Sequence, residues 1–157
     1  MIKVLFVCAG NICRSPMAEA VFQHMVDQAG LSRHFVIDSA GTGSWHIGEP
    51  PHPGTQRILK QNNIPYHGRS RQIDHRDLDE FDYILAMDRE NLSSLLRRGP
   101  NARAHIQLFL ADAKAQGLTP YDEVPDPYYD GSFDLTYQLS QLGSKTLLEK
   151  LRREHGL

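Results

Sequence analysis

An apolar run with β-branched residues, Ile2–Val7, breaks off at Cys8-Ala9-Gly10-Asn11-Ile12-Cys13-Arg14 and gives way at once to helical spacing. A run this short, bounded by a Gly/Asn loop, reads as a strand buried on both faces. From Pro16 onward Met17, Ala18, Val21, Phe22, Met25, Val26 and Ala29 recur at intervals of three and four, the stripe of an amphipathic helix. Ser15 is the expected N-cap, Pro16 the first helical residue and Gly30 the stop. A strand that feeds through a tight loop into a helix N-terminus is the first half of a βα unit in a parallel sheet.

The rest of the chain continues the alternation. Phe35–Asp38 reads as a second strand, and residues 40–54, crowded with Gly and Pro, as loop. A helix is expected from about Thr55 to Gln61, a turn at Pro65–Gly68, a strand at Tyr83–Ala86, and a helix around Asp88–Leu96 that stops before Gly99-Pro100. Ile106–Leu108 is a short strand candidate, and residues 119–131 are a long loop of Pro, Asp and Tyr. A last helix runs from about Phe133 to Arg153, with Leu135, Leu139, Leu142, Leu147, Leu148 and Leu151 on one face. The expected architecture is α/β: one domain over residues 1–157, a four-stranded parallel sheet with helices on both faces, and an anion-binding loop after the first strand. The length of 157 residues suits a single core. Ligands of such sheets sit beyond the carboxyl ends of the strands, where the strand order switches.

Composition narrows the function classes. Seventeen Lys and Arg against 19 Asp and Glu give a net charge of -2, which excludes a polybasic nucleic-acid binder. The apolar run at the start is far short of the ~20 residues that cross a bilayer, and Lys3 interrupts it, so neither a membrane span nor a signal peptide is expected. A cytoplasmic monomer is the expectation. Two cysteines make neither a disulfide framework nor a four-cysteine zinc site, and the eight histidines form no HExxH pair. No metal or other cofactor is expected.

The loop after the first strand carries the chemistry. Gly10 and Asn11 permit a tight reversal, which turns successive N–H groups of Ala9, Gly10, Asn11, Ile12 and Cys13 inward as an anion nest. The positive end of the following helix reinforces it and favours the thiolate, the nucleophilic form, of Cys8. Arg14 adds a planar fork that matches two oxygens of a phosphoryl group, and Ser15 can donate to the sulfur. On spacing alone, Cys8 and Arg14 read equally well as a buried strand cysteine beside a surface arginine.

The stretch VCAGNICRSPMAE closely resembles the phosphate loop of the low-molecular-weight protein tyrosine phosphatases. Ile37–Gly41 with Trp45, Phe81–Asn91 (FDYILAMDREN) and Val124–Tyr129 (VPDPYY) resemble further signatures of that family, in family order. The resemblance implies a phosphotyrosine phosphatase in which Cys8 is the nucleophile and Arg14 grips the phosphoryl group. It implies that Asn11, hydrogen-bonded to Ser39, holds the loop in a strained shape, and that Ser15 stabilises the thiolate. Asp126 is then the general acid that protonates the leaving tyrosyl oxygen and, as base, activates water against the phosphocysteine. Without the other motifs, Asp126-Pro127 would read as a turn. Trp45, Tyr128 and Tyr129 flank a cleft whose aromatic walls would stack on a phenyl ring. Cys13 reads either as a packing residue or as a resolving thiol for oxidised Cys8. Asp88 reads as a helix cap as readily as a site group.

Three departures from the family pattern stand out. Ala9 replaces a larger residue. Pro51-His52-Pro53-Gly54 replaces Pro-Asp-Pro-Arg, and Gly68 replaces a histidine, with His67 one place earlier. The expected partner is a tyrosine-phosphorylated protein or a small aryl phosphate, with phosphate- and vanadate-type anions as inhibitors. Arsenate reduction, which needs further cysteines, is disfavoured. A non-catalytic phosphotyrosine-binding module has no need of Asp126.

Overall fold

Strands β1 (Ile2–Cys8), β2 (Phe35–Gly41), β3 (Tyr83–Ala86) and β4 (His105–Leu108) form one parallel sheet, in the order β2-β1-β3-β4, in the computed structural model, which describes residues 1–157. β1 has a neighbour on each side, so its alternating side chains enter the interior on both faces, with Lys3 alone half-exposed. Val4, Phe6 and Cys8 point to the face covered by α1 (Arg14–Gln28) and α7 (Phe133–His155), among Ala18, Phe22, Leu148 and Leu151. Leu5 and Val7 point to the other face, against Ile84, Ala86, and Leu78 and Leu95 of α3 (Asp77–Glu80) and α4 (Arg89–Arg98). Helices thus cover both faces, as expected. Phe6 meets Phe22 and Phe109 edge-on at 5.6 and 5.4 Å, and each such pair adds about 0.5–1.5 kcal/mol to what burial supplies. A third cluster joins α1 to α2 (Pro53–Gln61) through Met17, Val21, Ile58 and Leu59. Two short helices complete the chain, α5 (Ala111–Ala115) and α6 (Pro127–Asp130).

The chain leaves β1 for β2 on one side and later reaches β3 on the other. The order therefore reverses at β1, and the segments after β1 and β3 open into one crevice at the carboxyl ends. β2 runs on past the expected Asp38 to Gly41, because Ser39, Ala40 and Gly41 pair with Phe6, Val7 and Cys8. A Cβ on Gly41 would stand 2.7 Å from the Ala9 carbonyl oxygen, so the missing side chain is what lets β2 lie against the loop.

Several local expectations need correction. Helix α1 starts at Arg14 with Cys13 at its N-cap and no side-chain cap, so Ser15 is not the cap. Its hydroxyl is taken up by the loop instead, and Pro16 still falls in the first turn, where its missing N–H costs nothing. α2 starts at Pro53, capped by His52 Nδ1, which accepts from Gly54 N at 3.0 Å. Leu142 is half-buried and outside the main core cluster, and its neighbour Gly143 leaves room for Phe109, since a Cβ there would stand 2.5 Å from the ring.

Candidate active site

Cys8 ends β1 almost wholly buried, and its Sγ accepts the Asn11 N–H at 3.3 Å and lies 3.0 Å from Ser15 Oγ. Asn11 has φ 57, the left-handed region that Asn tolerates better than most residues. Its carboxamide secures that shape. Oδ1 accepts from Arg71 N at 3.0 Å, while Nδ2 donates to Ser15 Oγ at 2.7 Å and Ser39 Oγ at 3.0 Å. The backbone donor at Oδ1 fixes which end of the amide is which. Ser15 Oγ accepts from Asn11, so its own hydrogen is left for Cys8 Sγ. Ser70 Oγ donates to Gly10 O at 3.0 Å and ties down the far side of the loop.

Arg14, 3% exposed, opens the N-terminus of α1. Its Nη1 donates to Asp88 Oδ2 at 2.6 Å and to Val124 O at 3.1 Å, and Nη2 reaches Asp126 Oδ2 at 3.5 Å. Nε is buried with no protein partner. Burial works against the guanidinium charge, but the negative Cys8, Asp88 and Asp126 outweigh it and hold the group above its ordinary value. Asp88 has two jobs: Oδ1 accepts from Asn91 N at 2.8 Å as the N-cap of α4, and Oδ2 pairs with Arg14. Asp126 likewise caps α6, accepting from Tyr128 N at 3.1 Å. It is therefore both the start of a helical turn and a carboxylate of the crevice.

These groups line a cleft of about 690 Å³. Ala9, Gly10, Ile12 and Cys13 supply its floor with Cys8 and Arg14; Asp126, Trp45, Tyr128 and Tyr129 stand around it. The three aromatic residues are 70%, 53% and 85% exposed, as walls open to a ligand must be. A side chain on Gly43 would collide with the Trp45 ring, so the glycine makes room for that wall. Asn11, Ser15 and Ser39 are brought to the site but face inward, behind the loop rather than into the cleft. Thr42, His46, Asp88, Asn91 and Arg97 also line the cleft, and of these only Asp88, between a strand and a helix, stands out in the sequence. His67 is exposed and makes no hydrogen bond to Asn11; the Arg71 backbone and Ser39 hold that amide.

Cys8 and Cys13 are both free thiols. Burial, with the nearby negative charges of Cys8 and Asp126, pushes Cys13 up to about 12 against the pull of Arg14. No three His, Cys, Asp or Glu side chains gather as a metal would need, and no helix is long and apolar enough to cross a membrane.

A nucleophile in an anion nest, a buried guanidinium and an adjacent carboxylate are a set suited to phosphoryl transfer. The family model described as low molecular weight phosphotyrosine protein phosphatase matches residues 3–156. The chain is 48% identical to the low molecular weight protein-tyrosine-phosphatase YfkJ of Bacillus subtilis over 100% of both chains. The crystal structure of YfkJ superposes with a TM-score of 0.94, covering 99% of this chain and 97% of that one. A low molecular weight phosphotyrosine protein phosphatase of Schizosaccharomyces pombe is 49% identical over 83% of each chain. A Drosophila arginine phosphatase is 34% identical, with a TM-score of 0.88 over 96% of this chain and 98% of its own. Spanning the sheet, the loop after β1 and the segment that carries Asp126, these likenesses make the chain a member of the low molecular weight phosphotyrosine protein phosphatase family.

Proposed function

We propose that this chain hydrolyses phosphotyrosine and related aryl phosphomonoesters through a phosphocysteine. The observation that carries the reading is the convergence of Cys8 Sγ, the Arg14 guanidinium and the Asp126 carboxyl on one cleft with aromatic walls. The Cys8 thiolate attacks phosphorus while the nest N–H groups and the Nε edge of Arg14 hold the phosphoryl oxygens. Asp126 gives its proton to the departing tyrosyl oxygen as the P–O bond breaks. The carboxylate so formed takes a proton from water, whose oxygen attacks phosphorus, breaks the P–S bond and releases phosphate with the thiolate restored. Phosphate and vanadate compete for the same nest.

The aromatic walls favour a flat ring on the leaving group, and phosphoserine lacks both the ring and the reach. The test is a panel of phosphotyrosyl, phosphoseryl and phosphoarginyl peptides beside small aryl and alkyl phosphates. Preference for phosphotyrosyl peptides supports the reading. Preference for an alkyl phosphomonoester would favour a metabolite phosphatase of the same mechanism, and preference for phosphoarginine would overturn the aryl assignment.

We infer that the chain acts as a monomer in the cytoplasm, where free thiols such as Cys8 and Cys13 persist. Cys13 serves as resolving thiol: peroxide oxidises Cys8 to the sulfenic acid, and attack by Cys13 releases water and leaves a disulfide. Intact-mass measurement after peroxide should show a loss of about two mass units, reversed by dithiothreitol. Gains of oxygen alone, with equal recovery in Cys13→Ser, would make Cys13 a packing residue.

A further inference from the structure

Behind the phosphate loop a line of hydrogen bonds runs out to the side of the molecule away from the cleft. Tyr66 OH donates to Glu19 Oε1 at 2.7 Å, and Ser39 Oγ donates to the same oxygen at 2.5 Å. Ser39 Oγ accepts from Asn11 Nδ2, which also donates to Ser15 Oγ, which faces Cys8 Sγ at 3.0 Å. Glu19 sets the direction at one end of the line, and the Arg71 N–H on Asn11 Oδ1 sets it at the other. An ionised Glu19 can only accept, so Ser39 must turn its hydrogen toward Glu19 and its lone pairs toward Asn11. Asn11, its amide turned by the Arg71 N–H, holds Ser39 with one hydrogen of Nδ2 and Ser15 with the other, and the hydrogen of Ser15 is left pointing at the sulfur. Three separate segments, α1, β2 and the connection after α2, meet in this line.

Gly68 makes the outer end possible. A Cβ on it would collide with the Tyr66 hydroxyl and ring. Gly68 does not have a positive φ, so position 68 supplies empty space rather than backbone freedom. Tyr66 also borders an open groove of about 820 Å³ beside α2, so its hydroxyl is the last fixed donor before the surface.

We propose that Tyr66 is a positioning residue for the Cys8 thiolate, acting through Glu19, Ser39 and Asn11, and that the bare backbone of Gly68 is the condition for it. Burial lifts the Glu19 carboxyl to about 7; the Ser39 and Tyr66 hydroxyls pull it down, Asp38 adds to the rise and Arg71 opposes it. Losing the tyrosine hydroxyl removes one of the two donors that favour the ionised form. A protonated Glu19 is a poorer acceptor for Ser39, so the anchor that Ser39 gives Asn11 Nδ2 loosens. The Arg71 N–H still sets which way the amide faces, and what weakens is the hold on Asn11, whose own N–H and whose partner Ser15 both meet the sulfur. This rests on Cys8 as the nucleophile.

The experiment follows alkylation of Cys8 by iodoacetamide against pH, with mass spectrometric readout, in the wild type and in Tyr66→Phe, which keeps the ring. The profile should move to higher pH by about half a unit, and kcat should fall about 3–10-fold with KM nearly unchanged, the scale of one hydrogen bond. Gly68→Ala, which drives the hydroxyl off Glu19, should shift the profile in the same direction. The double variant should shift it no further, because both changes remove one interaction. A Tyr66→Phe profile identical to wild type, or shifts that add in the double variant, would overturn the proposal and leave Tyr66 a packing residue. If alkylating Cys8 in the wild type leaves turnover intact, the nucleophile assignment itself falls, and the positioning role with it.

Discussion

The loop after β1 and the segment around Asp126 face each other across Arg14, and they are held in opposite ways. The loop is gripped from behind by Asn11, Ser15, Ser39 and the Arg71 backbone, all but Arg71 buried. The Asp126 segment carries Tyr128 and Tyr129 on its surface and stands against exposed ion pairs that join Arg89 to Asp122 and Glu123. The difference follows from what each must do. Groups that stabilise developing charge work best when they are in place beforehand, since reorganising them during reaction costs energy. A group that delivers a proton to one leaving group and then takes one from water needs room for both partners to come and go. The contrast is rigid charge stabilisation against accessible proton transfer.

The strongest way to test the rigid side is Cys8→Ser. Turnover should fall to background while vanadate still binds, because the nest and Arg14 are untouched; measurable turnover would remove the covalent route. Next comes Asp126→Ala, with an expected loss of about 10²–10⁴-fold. That loss should shrink for phenols that leave without a proton, whereas an equal loss across leaving groups would make Asp126 a shaper of its loop only. Asp88→Asn probes the hinge between the two regions. It weakens the anchor of Arg14 at 2.6 Å but keeps a capping oxygen for α4, so KM for phosphate esters should rise about 10-fold with little change in Tm, by analogy with the loss of a charge-assisted hydrogen bond. Tyr129→Ala, on the exposed side, should raise KM for aryl phosphates about 2–10-fold, leave small alkyl phosphates unaffected, and not move Tm.

The smallest effect is a pH dependence of stability. Folding holds the Glu19 carboxyl at about 7, above its unfolded range, so its contribution to stability is complete below the unfolded value and is lost as pH rises toward 7. Glu19→Gln removes that loss while keeping an acceptor for both hydroxyls. Its Tm relative to wild type should therefore improve by a few degrees between pH 5 and 8. A constant difference across that range would mean that Glu19 does not titrate there in the folded protein.

What the sequence disclosed divides along the same line. α1 and the long C-terminal helix were legible because each repeats an apolar pattern over enough residues to show its period, and β1 and β3 because each is a short unbroken apolar run. The turns α3, α5 and α6 were not, since four or five residues show no period at all. Cys8, Arg14 and Asp126 were legible from their resemblance to a family, and in the case of the loop from the chemistry of the residues as well. The pairing of Asp88 with Arg14 was half visible as a capping residue after a strand. Glu19 and Tyr66 were invisible: an acidic residue in an amphipathic helix reads as solvated until the sheet brings Ser39 against it. Side chains that act through other side chains leave no local spacing to read.

Val124 has a consequence beyond its burial. Its N–H bonds to Met87 O at 2.8 Å and its carbonyl accepts from Arg14, so the backbone is clamped two positions ahead of Asp126. Between α5 and that clamp, only Asp122 and Glu123, paired with Arg89, have a fixed place close to it. The connection before Val124 can therefore gain or lose residues without altering the reach of the carboxyl group, while a single insertion between Val124 and Asp126 would put it out of register with Arg14. Variation in length is tolerated on one side of the clamp and forbidden on the other, so the connection from α5 is the exchangeable part and the acid-bearing segment the fixed one.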